Sequence, residues 1–162
     1  MESTTYKRVR IAAWPAIAVA VAMLAACARN KPVGRLNMTP RETTVAADAC
    51  APLRFEWTPA SPLDRAHGSP VVFVHILPSP GNPLGNMDHQ LPEAWTPGRP
   101  QSYERNICPS AFTTPLLPGT YRLTVGLYDL SWGYRWPLEG GGVEVDRREY
   151  LMGTITVTEK KR

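Results

Sequence analysis

The sequence predicts an all-β domain, a single antiparallel sandwich, behind a cleaved N-terminal leader. Three observations predict it. Apolar residues recur at every second position in several short runs, the period of a strand with one buried face. The 17 prolines and 12 glycines fall largely between those runs, where they punctuate turns. Beyond the leader, no stretch holds a helical period for more than about ten residues.

The leader carries Lys7, Arg8 and Arg10, then an apolar stretch from Ile11 to Leu24 broken only by Pro15. That is the layout of a secretory signal peptide. Its 14 apolar-stretch residues rise about 21 Å as a helix, short of a hydrocarbon core about 30 Å thick, which favours cleavage over a permanent span. The closing residues Leu24-Ala25-Ala26-Cys27 resemble the lipobox of bacterial lipoproteins. The resemblance implies diacylglyceryl transfer to the Cys27 sulfur, cleavage before Cys27 and acylation of the new amino terminus, with palmitate-type chains holding the protein to a membrane. It also implies a destination. Asp after the lipidated cysteine retains such proteins in the inner membrane of Gram-negative cells, and Ala28 stands there, so the outer membrane, facing the periplasm, is expected. Two other readings stay open: Ala26-Cys27-Ala28 also fits an ordinary small-x-small site, cut before Arg29 to give a soluble secreted chain, and the leader could persist as an anchor.

Charge and cysteines are consistent with export. Lys7, Arg8, Arg10 and Glu2 leave with the leader, so the net charge of +4 falls to +2. Nucleic acid is therefore not an expected partner, and Arg147-Arg148 and Lys160-Lys161-Arg162 read as solvated ends. Lipidation of Cys27 leaves Cys50 and Cys108 as an even pair, expected to form one disulfide in an oxidising compartment. The two are 58 positions apart, and closing that loop stabilises by about 4 kcal/mol on the chain-entropy account. No cofactor is expected. The resulting division is residues 1–26 as signal peptide, 27–35 as a lipidated flexible stalk with Pro32 and Gly34, and 36–162 as one sandwich domain.

Within the domain, Leu53, Phe55 and Trp57 alternate with Arg54 and Glu56, a strand with one buried face. Val71 to Leu77 is apolar at nearly every position, as a central strand buried on both faces would be. Pro78 to Gly85 reads as a loop, Asn86 to Gln90 as the returning strand of a hairpin, and Leu91 to Pro100 as an irregular connection. Gln101 to Ile107 and Ala111 to Leu116 are weaker strand candidates. Pro118-Gly119 then turns into Thr120 to Asp129, with Tyr121, Leu123, Val125 and Leu127 on one face and Gly126 on the other, where it leaves room for a neighbour. Gly140-Gly141-Gly142 reads as a hairpin connection before Val143 to Val145, and Met152 to Thr158 completes the set.

Phe73-Val74-His75, Asp88-His89, Trp95-x-Pro97-Gly98 and Leu117-Pro118-Gly119-Thr120-Tyr121 through Gly126-Leu127-Tyr128-Asp129 together resemble an immunoglobulin-like or fibronectin-III-like β-sandwich module. Such modules occur at the ends of bacterial membrane glycosyltransferase-like proteins and in envelope proteins. The resemblance implies a tyrosine corner in which Tyr121 bonds back to the preceding connection. Cys50 and Cys108 fall outside the usual inter-sheet disulfide positions of that fold.

Catalytic signatures are missing: there is no Gly-x-Ser-x-Gly, no His-Glu-x-x-His and no phosphate-cradling loop ahead of a helix, so no enzyme is expected. His75, Asp88 and His89 would form a candidate metal site only if the strand Val71 to Leu77 and its return brought them together. The aromatic surplus is the stronger binding signal. Trp95, Trp132, Tyr134 and Trp136 lie in or beside connections, and Trp132-Gly133-Tyr134-Arg135-Trp136 as a strand would present three rings on one face. Exposed rings of this kind stack on sugars or anchor a protein; the competing reading is that they close the core. The functional expectation is a membrane-anchored envelope lipoprotein with a non-enzymatic interaction or accessory module, its partner an envelope protein; the alternative is a carbohydrate-binding module acting on an envelope or exported glycan.

Overall fold

The computed structural model describes residues 31–64, 70–78, 83–140 and 142–160. Contacts divide the chain into Met1–Lys31 and Pro32–Arg162, and the fold below is that of the second unit. Cys27 and the leader lie outside the described residues.

The strands are β1 (Gly34–Thr39), β2 (Glu42–Ala46), β3 (Ala51–Pro59), β4 (Val71–Leu77), β5 (Gly85–Asn86), β6 (His89–Gln90), β7 (Gln101–Ile107), β8 (Gly119–Tyr128), β9 (Leu138–Glu139), β10 (Val143–Asp146) and β11 (Glu149–Thr158). They form a four-stranded sheet, β7-β3-β1-β9, and a seven-stranded sheet, β10-β11-β8-β4-β5, in which β2 also pairs with β11 and β6 with β4. The chain is thus all-β, but its sheets are mixed rather than wholly antiparallel. β1 runs parallel to β9, and β2 parallel to β11. The reason is a change of sheet: β1 pairs with β3 in the first sheet, and after the cis Thr39–Pro40 bond the chain continues as β2 in the second.

Alternation places one face of each sheet in a shared core. Leu53, Phe55 and Trp57 of β3, Leu36 and Met38 of β1, Val72, Val74 and Ile76 of β4, and Leu123, Val125 and Leu127 of β8 are all buried there. Each such side chain stabilises by roughly 1.5–3 kcal/mol when fully buried. The central strand is covered on both faces, as its composition predicts. Phe73 lies on the outer face and fills the space above Gly126, where a Cβ would come within 2.1 Å of the ring. Tyr121 makes the expected corner: its hydroxyl donates to the Leu117 carbonyl at 2.7 Å while its ring is buried.

Several local expectations are corrected. Val33 is buried and Gly34 opens β1, so the folded domain begins before residue 36 and takes in the end of the expected stalk. Ala111 to Leu116 is not a strand. Pro109–Ala111 forms a 3₁₀ turn, and Leu116 N–H closes the segment by donating to the Pro109 carbonyl at 3.1 Å; prolines at 109 and 115 withhold the amides a ladder would need. The return from β4 divides into β5 and β6, both paired with β4. The chain between β9 and β10 passes from one sheet to the other instead of closing a hairpin.

Candidate functional site

The second sheet's outer face, near the end of β8, carries a cluster of polar and aromatic side chains. After Tyr128 the chain turns sharply. The carboxylate of buried Asp129 accepts the backbone N–H groups of Ser131 at 2.9 Å and Trp132 at 3.1 Å, an Asx-type turn that competes with an extended backbone. Gly133, at φ +63°, donates its N–H back to the Asp129 carbonyl at 2.8 Å. The braced tip holds Leu130 and Trp132 outward, each 70% exposed.

The chain then returns across the face. Arg135 bridges to Tyr128 and lays its guanidinium 4.4 Å from the centre of the Phe73 ring. Trp136 drops into the core, fully buried, with its indole N–H donating to the Asp64 carbonyl at 3.0 Å.

The four predicted surface aromatics are therefore not one surface. Trp136 is core. Tyr134 is half-buried, edge-on to Trp136 at 5.7 Å. Trp95 packs edge-on against Trp57 at 6.0 Å, donates to the Ser61 carbonyl at 2.9 Å and fills the space beside Gly34. Trp132 alone among them is strongly exposed. The predicted three-ring face needs an extended strand from 132 to 136, and the Asp129 turn removes it.

Beneath Arg135 lies a polar network that sequence patterning did not reveal. Glu149, the first residue of β11, is buried; its carboxylate accepts from His75 Nδ1 at 3.1 Å, Arg135 Nη1 at 3.3 Å and the hydroxyl of buried Thr124. Burial alone would raise the Glu149 pKa, but the hydrogen bonds from His75 and Thr124 and the charges of His75 and Arg135 outweigh it and hold the carboxyl below its usual range. The β10–β11 connection is a two-residue turn in which Arg147 and Arg148 have φ +31° and +67°. Hairpins normally place Asn-Gly in such turns, and a left-handed conformation costs a residue with a side chain about 1–2 kcal/mol. Arg148 is tied in by its backbone N–H to Glu144 at 2.7 Å, by its guanidinium to the Arg135 carbonyl, and by stacking 5.1 Å over Tyr134. Gly133, Tyr134, Arg135, Glu144, Arg147 and Arg148 line an open cleft of about 610 Å³. Arg147-Arg148, expected to be a solvated end, instead forms one wall of it; the signal was a charged pair set between two short β-rich segments.

The metal candidates do not converge. β4 pairs His75 with Asn86 but Val72 with His89, and positions 72 and 75 face opposite sides of a strand. His75 faces Glu149 on the outer side. His89 lies among core rings, 5.8 Å from Phe55 and 5.4 Å from Tyr103, donating from Nδ1 to the Met87 carbonyl and accepting from the Tyr103 hydroxyl, each at 2.7 Å. Burial is the main reason its pKa is lowered; burial likewise pushes Tyr103 up to about 12. Asp88 meets the Tyr128 hydroxyl at 3.4 Å. Among the described residues, no group of three His, Cys, Asp or Glu side chains is arranged to hold a metal ion.

Cys50 and Cys108 are bonded, with an S–S length of 2.04 Å and Cα atoms 4.2 Å apart. They flank the Ala51–Ile107 pair of the β3–β7 ladder, so the bridge extends one sheet and does not join the two.

Comparison with known proteins adds little to this geometry. No protein-family model and no curated protein matches the sequence. Among solved structures, the Pseudomonas fluorescens alkylpurine DNA glycosylase AlkC, bound to DNA containing an abasic site analogue, is similar at a TM-score of 0.44 and 17% identity. The match covers 82% of this chain and 33% of that one. This chain thus spans about a third of that protein's length, and a likeness of that degree carries no argument about fold or activity.

Proposed function

We propose that this protein is an exported lipoprotein, anchored through acylated Cys27, whose β-domain serves as a non-enzymatic interaction or accessory module in the cell envelope. The observation that carries the reading is the Cys50–Cys108 bond: it uses both cysteines of the domain and leaves Cys27, at the lipobox position, as the odd thiol. Ala28 in place of Asp supports the outer membrane, with the domain in the periplasm.

An immunoglobulin-like assignment of the sandwich is supported by strand order. Three antiparallel neighbours in the first sheet, β7-β3-β1, and three in the second, β11-β8-β4, follow the E-B-A and G-F-C orders of that fold, and Tyr121 supplies its corner. The accessory reading is supported by the state of the most reactive-looking cluster. Glu149 accepts from three side chains beneath Arg135, which fits a structural tie better than a general base. The glycan reading is left with Trp132 as its one strongly exposed ring.

Membrane fractionation tests the anchor. The protein should stay with outer membranes through high-salt and carbonate washes and leave only with detergent; release by salt would contradict the proposal. In a glycan-array assay, binding that disappears in Trp132→Ala would favour the carbohydrate reading instead.

A further inference from the structure

We infer that the end of the domain formed by Leu130, Trp132 and Arg147 rests on the phospholipid headgroup layer of the membrane that holds Cys27. The inference depends on acylation of Cys27 and adds an orientation to it.

The tether is short. Val33 lies only six positions after Cys27, with five residues between them, and is already buried in the domain. At about 3.3–3.6 Å per residue, that length of chain keeps Val33 within roughly 20 Å of the lipidated sulfur. The tether also joins the domain at a definite end. Val33 N–H donates to the Pro137 carbonyl at 2.9 Å, and Gly34 pairs with Leu138, directly after the segment that carries the Leu130–Trp132 tip. The domain therefore meets its tether at the end that also bears this tip. Register places the Arg147–Arg148 turn at the same end: Tyr150 lies opposite Val125 on β8, three residues before β8 ends at Tyr128.

The side chains at this end suit a headgroup layer. Trp132 and Leu130 are both 70% exposed on a turn braced by Asp129. An indole is suited to the headgroup level of a bilayer, where its ring is sheltered and its N–H stays hydrated. Across the cleft, Arg147 is exposed at a strained left-handed turn, and the tether itself carries Arg29 and Lys31 with no acid between Cys27 and Val33. Basic groups close to a bilayer are drawn to anionic headgroups, each by an amount equivalent to about a fivefold change in partition. Glu144 on the cleft wall is held by the Arg148 backbone N–H. A protein partner would use the same tip, but neither the short tether nor its basic residues call for one.

The test uses the mature lipidated protein in vesicles of phosphatidylethanolamine and phosphatidylglycerol, with acyl chains either brominated near the headgroup or unbrominated. Brominated lipid should quench part of the tryptophan emission, and Trp132→Phe should abolish that part. Arg147→Gln, at an exposed position, should reduce the quenching, and raised salt should reduce it in the parent protein. An acylated protein that floats with the vesicles yet shows equal emission in both lipids, with Trp132 open to aqueous iodide, would overturn the inference and leave the anchor standing. An unacylated Cys27 would overturn both.

Discussion

Tyr121, Trp132 and Trp136 have similar side chains, yet the structure gives them unlike roles that stability measurements can separate. Tyr121→Phe removes a single hydrogen bond to a carbonyl at an exposed position, so a loss of about 0.5–1.5 kcal/mol is expected. Trp136→Ala empties a fully buried site and leaves Asp64 without its indole donor, which should cost about 3–5 kcal/mol. Trp132→Ala, at 70% exposure, should change the denaturation midpoint little; a loss matching that of Trp136→Ala would place Trp132 in the core as well. Buried Glu149 and half-buried His89 give a pH dependence. The folded-state pKa of Glu149 is depressed, so its stabilisation is complete above its unfolded value near 4.5 and is lost as pH falls through the lower folded value. His89 is also depressed; the fold favours its neutral ring, with stability complete above about pH 6.5 and lost as pH falls through its folded value. Acidification should therefore weaken the domain in two windows. Glu149→Gln should flatten the lower one and His89→Gln the upper, as read from denaturant midpoints across pH.

Single strands were legible where local pattern decides them. β3 and β8 alternate cleanly, and β4 is apolar on both faces because Phe73 covers Gly126. Gly126 itself could be read as room for a neighbour, though not whose ring would fill it. β1, β2 and β9 were not legible. β1 carries only Leu36 and Met38 as large apolar residues, after a proline and glycine that suggest a linker; β2 and β9 owe their pairing to partners far away in the chain, β11 and β1. Parallel pairing follows from where the chain changes sheets, which no local period encodes. The aromatic surface failed for a related reason: burial of Trp136 is completed by Asp64, 72 residues away, while Asp129 bends what looked like a strand. At this scale the Cys50–Cys108 bridge can be tested as a tie within one ladder. Cys50→Ser and Cys108→Ser should each cost about 2–5 kcal/mol, and the double variant should be no worse than either single. Additive losses would mean that the two act separately.

At the scale of the whole molecule, the two mixed sheets enclose one core, and the β1 end, the Asp129 turn and the Arg147–Arg148 turn gather at one end of the domain. The tether joins at that end, so a lipid at Cys27 would determine both where the domain resides and which end faces the membrane. Everything proposed for the protein therefore depends on the chemistry of one sulfur atom. Mass spectrometry of the N-terminal peptide from protein extracted from envelope membranes reads that chemistry directly. The expected peptide begins at Cys27 and carries the added mass of a diacylglyceryl group, absent in Cys27→Ser. A mature chain that begins at Arg29, or at an unmodified Cys27, would contradict it.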